Sequence, residues 1–164
     1  MTLIRSAHPA DAAAIAAIYN HYVASSTITF EEAEVGADVM AVRIAKVISS
    51  KLPWLVIEQD GKVLGYAYAS KWKERSAYRF SVESSIYLQQ EARGRGLARK
   101  LYQHLFELLR QSGVHLVIGG VALPNDASVG LHRKMGFQPV GAFKEVGRKF
   151  GRWIDVSYWQ LRLE

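Results

Sequence analysis

The apolar positions of this 164-residue chain alternate between strand-like and helix-like spacing, and the changes of period divide it into elements. Leu3 to Ser6 predicts an opening strand. His8-Pro9-Ala10-Asp11 then starts a helix, because proline is tolerated in a first turn and an aspartate there complements the helix dipole. Ile15, Ile18, Tyr19, Tyr22 and Val23 form one face of that helix, and core packing is their expected role. The stretch from Ser25 to Glu32 separates it from a second helix, in which Met40, Ile44, Val47 and Ile48 recur at helical spacing. Pro53 to Glu58 and Lys62 to Ser70 predict two strands joined through Asp60-Gly61, a pair suited to the positive backbone angles of a tight hairpin.

Lys71 to Tyr78 is a basic and aromatic loop, either a recognition loop or a solvated connection. The run Arg79 to Leu88 alternates, with Phe80, Val82, Ser84, Ile86 and Leu88 on one face and Arg79, Ser81, Glu83, Ser85 and Tyr87 on a polar one. After it the chain turns polar and then glycine-rich through Arg93-Gly94-Arg95-Gly96, and Leu97, Leu101, Leu105 and Leu108 mark a helix. An apolar strand over His115 to Leu123 leads to a short asparagine-led helix from Asn125. Gln138 to Glu145 and Arg152 to Leu163 predict a closing antiparallel pair joined by Val146 to Gly151, with Trp153, Tyr158 and Trp159 expected in core or dimer contacts.

The glycine turn is the first place where the pattern implies chemistry. Glycines between a strand and a helix let the backbone approach a ligand, and the unpaired N–H groups of the first helical turn attract phosphate. Arg93, Arg95, Arg99 and Lys100 add positive charge around that turn. No Gly-Lys-Ser/Thr follows, which excludes a Walker loop, and the three-glycine dinucleotide fingerprint with its downstream acid is absent too. Glu83 is the second place. A carboxylate in mid-strand, partly desolvated, suits the removal of a proton from an ammonium group, whereas an exposed Glu83 would simply pair with Arg79 or Arg75.

Composition narrows the classes. With 49% apolar residues the chain is expected to form one domain over residues 1–164 with a continuous core. The absence of cysteine removes disulfides, thiolate metal sites and a cysteine nucleophile. No apolar run approaches the ~20 residues that span a bilayer, and no charged-then-apolar leader opens the chain, so the expectation is a cytoplasmic protein with no membrane partner. The net charge of +6 comes from dispersed residues apart from clusters at Arg93 to Lys100, Arg133-Lys134 and Arg148 to Arg152. An anionic cofactor accounts for the first two, so nucleic acid is not expected.

Two spaced motifs carry a resemblance. Arg93-x-x-Gly96-x-Ala98, followed by Asn125-x-x-Ser128-x-x-Leu131-x-x-Lys134-x-Gly136-Phe137, resembles the two half-motifs of the GNAT superfamily of acetyl-coenzyme A dependent N-acetyltransferases. Trp72, Tyr78-Arg79, Val82 to Tyr87, Leu131-His132 and Phe150-Gly151-Arg152-Trp153-x-Asp155-Val156 narrow this to a resemblance to the phosphinothricin and methionine sulfoximine N-acetyltransferases.

The resemblance implies a GNAT fold of the α/β class, with a mixed, largely antiparallel twisted sheet flanked by helices. It also implies acetyl-CoA as co-substrate without a metal, an acceptor that is a small glutamate- or methionine-like amino acid, and a homodimer. Carried over to this chain, main-chain groups of Ile86, Tyr87 and Leu88 would hold the pantetheine arm. Gly94, Arg95, Gly96, Leu97, Ala98 and Arg99 would wrap the pyrophosphate, following Arg93, and Asn125 and Lys134 would also contact the cofactor. Lys73, Glu74 and Arg75 would line the acceptor site with Glu83, the implied general base. Histidine stands at 132 where many members of the superfamily have tyrosine, and His132 is the candidate acid for the departing thiolate. Lys73 stands where relatives often have arginine, which leaves Arg75 or Arg79 to clamp a carboxylate. The competing readings are acetylation of a protein N-terminus, polyamine or antibiotic, and a non-catalytic acyl-coenzyme A binding module.

Overall fold

A computed structural model describes all of residues 1–164. Seven strands form one sheet: β1 (Thr2–Ser6), β2 (Trp54–Gln59), β3 (Lys62–Lys71), β4 (Ser81–Leu88), β5 (Leu116–Ala122), β6 (Gln138–Lys149) and β7 (Arg152–Arg162). Their order is β1-β2-β3-β4-β5-β7-β6, and every neighbouring pair is antiparallel except β4 and β5. The helices are α1 (Ala12–Ser25), α2 (Ala37–Ser49), α3 (Leu97–Gln111) and α4 (Asp126–Lys134). This is the mixed, largely antiparallel sheet flanked by helices that the sequence motifs imply.

Two cores lie on opposite faces of the sheet. Leu97, Leu101, Leu105 and Leu109 of α3 bury against Leu55, Ala67, Val82 and Val117. On the other face, Ile15, Tyr19, Tyr22 and Val23 of α1 and Met40, Ile44 and Val47 of α2 pack on Trp54, Val56 and Tyr66. Asp11 is committed to an ion pair: its carboxylate accepts from Arg5 at 2.8 and 2.9 Å and from the His8 N–H at 2.7 Å. That joins β1 to the start of α1 more tightly than a dipole interaction alone.

Two expected boundaries move, and one face changes character. β4 starts at Ser81 because Ser76–Tyr78 form a 3-10 turn and the Arg79 guanidinium folds back to the Ser76 carbonyl at 3.0 Å. Its second face is apolar as well as polar, since Tyr87 packs edge-on against Tyr19, and Glu83 on that face is half-buried. The closing hairpin is longer than expected: β6 continues to Lys149 because Phe150 and Gly151, with φ of 52° and 70°, make the turn alone. The residues from Val146 to Lys149 are thus strand, resumed after a bulge at which the Glu145 N–H donates to Asp155 Oδ1 at 2.7 Å.

Candidate active site

The parallel pair sets the position of the site. β4 and β5 are in register only over Ser81–Leu116, Val82–Val117 and Glu83–Ile118, and beyond Glu83 they diverge. The rest of β4 then has a partner on one side only, β3. Along an antiparallel ladder successive residues turn their N–H and C=O groups to opposite sides. Gln89 N–H donates to the Leu64 carbonyl on the β3 side and Trp72 N–H donates to the Ser81 carbonyl there, so the main-chain groups of Ser84, Ile86 and Leu88 face the gap. Those of Tyr87 face β3. Of the three residues expected to hold an extended ligand by main chain, Ile86 and Leu88 are oriented for it, and Tyr87 contributes its ring to the wall instead.

The Leu88 carbonyl has a partner already, because the Tyr22 hydroxyl donates to it. The same hydroxyl accepts from Arg93 Nη2 at 3.0 Å, with the guanidinium 5.1 Å above the Tyr22 ring. Tyr22, absent from the sequence-derived site, thus ties the end of β4 to α1 and fixes Arg93. Behind the gap lies a cavity of about 230 Å³ lined by Tyr22, Ile28, Ile86, Arg93, Asn125 and Leu131, among others. It adjoins a second of about 490 Å³, where Gly94, Gly96, Arg99 and Lys134 meet.

These cavities fit a coenzyme. Gly94 and Gly96 both have φ of 74°, and a Cβ on either would meet nothing, so they serve backbone conformation and close approach. Gly96 precedes α3, leaving the N–H groups of Leu97, Ala98 and Arg99 without intrahelical acceptors beside Arg99 and Lys134. The Leu97 side chain itself is buried in the core. Arg95 departs from the expected picture: its guanidinium donates to Gln59 Oε1 at 2.6 Å, on the hairpin side of the turn. Asn125 both lines the cavity and caps α4, its Oδ1 accepting from Ser128 N–H at 3.1 Å.

Glu83 sits where the strands part, on the face away from α3. Burial pushes its carboxyl above the usual carboxylate range, and the positive charge of Lys73 pulls the other way. Lys73 is exposed with its ammonium 4.9 Å from the Trp72 ring centroid, and Trp72 meets Tyr158 edge-on at 6.0 Å. Tyr158 belongs to this site rather than to the core alone. Glu83 and Tyr158 both flank Gly120, where a Cβ would lie 3.6 Å from Glu83 Oε2 and 3.3 Å from Tyr158 Cε1. Of the other loop residues expected here, Arg75 is exposed and Glu74 opens onto a separate cleft with Arg43, Lys46 and Lys71. Arg79 is held back on its own turn by the bond to Ser76.

His132 is 3% exposed and packed against Phe137, Tyr102 and Trp159. Its Nδ1 lies 2.7 Å from the Ser128 carbonyl, which can only accept, so Nδ1 carries the proton. Nε2 faces Gly119, where a Cβ would lie 2.6 Å away. Burial lowers the imidazole below its ordinary value of 6.5. A neutral ring with its one proton committed to Ser128 is what this environment favours.

Known proteins resemble this chain over nearly its whole length. The model of the acetyltransferase (GNAT) domain family matches residues 4–158. A phosphinothricin N-acetyltransferase of Alcaligenes faecalis is 44% identical over 161 residues, covering 98% of this chain and 82% of the relative. An L-methionine sulfoximine/L-methionine sulfone acetyltransferase of Salmonella typhimurium is 38% identical, with 98% and 94% covered. Among solved structures, a GNAT superfamily phosphinothricin acetyltransferase from Sinorhizobium meliloti in complex with acetyl-CoA has a TM-score of 0.95 at 37% identity, over 99% of this chain and 88% of that one. A ribosomal-protein-alanine N-acetyltransferase from Brucella melitensis has a TM-score of 0.96 at 38% identity, over 98% and 99%. The chain belongs to the GNAT acetyltransferases and is an acetyl-CoA-dependent N-acetyltransferase.

Proposed function

We propose that the acceptor is the α-amine of a small glutamate- or methionine-like amino acid, such as methionine sulfoximine, methionine sulfone or phosphinothricin, and that Glu83 is the general base. The observation that carries this is the position of Glu83: at the parting of β4 and β5, desolvated, and facing the open space over Gly120 beside Lys73. Acetyl-CoA supplies the activated acyl group, its polyphosphate against the α3 turn and its pantetheine arm along Ile86 and Leu88. An ammonium nucleophile must first lose a proton, and a carboxylate with a raised pKa accepts it near neutrality. The amine then attacks the thioester carbonyl directly, as orientation in one cleft suffices for the bimolecular step. The N–H of Leu88, facing the gap, is placed to stabilise the oxyanion. The C–S bond breaks as the amide forms, the second amine proton leaves, the thiolate takes up one, and one proton is released overall.

His132 keeps a positioning role in this scheme. Its neutral ring, bonded back to Ser128, holds α4 against β5, and the thiolate draws its proton from solvent. Lys73, a point charge at the mouth, meets the acceptor's carboxylate. A polyamine would find cations there, and an extended protein N-terminus would have to present a carboxylate-like charge to Lys73. Val140, Phe143, Val146, Phe150 and Trp153 are exposed apolar residues along the β6–β7 hairpin, of the kind that contact with a second copy would cover, which supports a homodimer. An enzyme drawing on acetyl-CoA fits the cytoplasm, and no helix of the chain is long and apolar enough to cross a membrane.

The test is steady-state release of coenzyme A with methionine sulfoximine, methionine sulfone, phosphinothricin, spermidine and an alanine-ended peptide compared side by side. Saturable turnover confined to the three amino acids is the expected result; turnover favouring the peptide or spermidine would overturn the substrate assignment.

A further inference from the structure

Two adjacent glycines occupy the middle of β5, where glycine weakens a strand and marks a close approach. Gly119 has such a neighbour in His132, whose Nε2 a Cβ would strike. Gly120 does not. It is exposed, its backbone needs no positive φ, and a Cβ would stand at ordinary or slightly tight contact, 3.3 Å from Tyr158 Cε1 and 3.6 Å from Glu83 Oε2. An alanine would press only on the edge of the Tyr158 ring, which would have to give by a few tenths of an ångström, yet the position carries no side chain beside the half-buried carboxylate of the cleft. Glu83 forms one wall and Tyr158 another, with Trp72 edge-on to Tyr158.

We infer that Gly120 is a specificity-determining residue, whose missing side chain forms the notch in which the acceptor's ammonium group, or the one water that relays its proton, reaches Glu83. This rests on the acceptor and base assigned above. A methyl group there would occupy a contact position on the carboxylate oxygen, displacing the nitrogen or water by more than an ångström. Shifts of that size at a reacting centre lower rates by up to about a hundredfold. It would also strip water from Glu83 and raise its pKa further, because desolvation disfavours the charged form. The α3 turn, against which the polyphosphate would rest, lies on other residues and would not sense it.

The experiment compares wild-type enzyme with Gly120→Ala, using methionine sulfone as acceptor. Expected are an unchanged or higher Tm, an unchanged Kd for acetyl-CoA, a fall in acceptor kcat/KM on the order of tenfold or more, and an acid limb of the kcat/KM profile moved to higher pH. A merely structural glycine would not move that limb. Unchanged kcat/KM and pH profile in an active, folded Gly120→Ala enzyme would overturn the inference alone. Loss of folding or of acetyl-CoA binding in the variant would also overturn it, since a Cβ there meets only the Tyr158 ring edge and the Glu83 carboxylate. A wild type inert toward every amino acid in the panel would refute the substrate assignment and this inference with it.

Discussion

Glu83 and His132 are both titratable groups withdrawn from water, and burial moves them in opposite directions. The Glu83 carboxyl is raised above 4.5 in the folded chain, so the folded state holds its proton more tightly than the unfolded one. The stability this group contributes is therefore present below pH ~4.5 and is lost as pH rises through the folded value. At pH 7 its buried charge is a cost, and Glu83→Gln is expected to melt at the same temperature as wild type or higher, by differential scanning calorimetry. His132 is lowered, so the unfolded chain binds the extra proton, and stability falls as pH drops from about 6.5 through the folded value. Melting temperatures at pH 7.5 and pH 5.5 should differ more in wild type than in His132→Gln; an equal drop would remove the buried neutral imidazole from the account.

At the level of elements, the glycine turn and the cap of α4 are where local chemistry and ligand binding coincide. Gly96→Ala forces a left-handed residue with a Cβ, a cost of about 1–2 kcal/mol. Relaxing it turns the α3 N–H groups away, so calorimetric titration should show the acetyl-CoA Kd rising by about tenfold, 1.4 kcal/mol. Asn125→Ala should remove about 1 kcal/mol of stability through the lost bond to Ser128. Both features were legible in the sequence because each is local: glycines before a leucine-periodic helix, an asparagine ahead of another. The parting of two central parallel strands was legible only through the family resemblance, not from local pattern, since it depends on a parallel pairing of three residues between segments more than thirty positions apart. Tyr22 and Tyr158 escaped for the same reason. Each sits on an element whose own period reads as core, and only tertiary packing turns its hydroxyl or edge toward the site. The Gly119-Gly120 pair in mid-strand was the one local sign that something approaches β5 closely.

Across the whole molecule, the sheet divides the labour. In the proposed arrangement the coenzyme lies at the α3 turn and along the gap beside β4, while the face covered by α1 and α2 only over β2 to β4 leaves Glu83 and Tyr158 for an acceptor. Lys149 links the two regions: it is 1% exposed, and its ammonium donates to the Ser26 and Thr29 carbonyls at 2.7 and 2.8 Å, tying the closing hairpin to the loop after α1. The apolar outer surface of that hairpin belongs in an interface on this account, and the double variant Val146→Glu, Trp153→Glu is expected to sediment as a monomer where wild type sediments as a dimer. A wild type that sediments as a monomer would leave that surface without its assigned partner. The most direct measurement of the central claim is the rate of acetyl transfer to methionine sulfone by Glu83→Gln, with acetyl-CoA affinity measured on the same protein. The expected result is a kcat lower by about 10²- to 10⁴-fold with the acetyl-CoA Kd unchanged; full turnover by that variant would contradict Glu83 as the base.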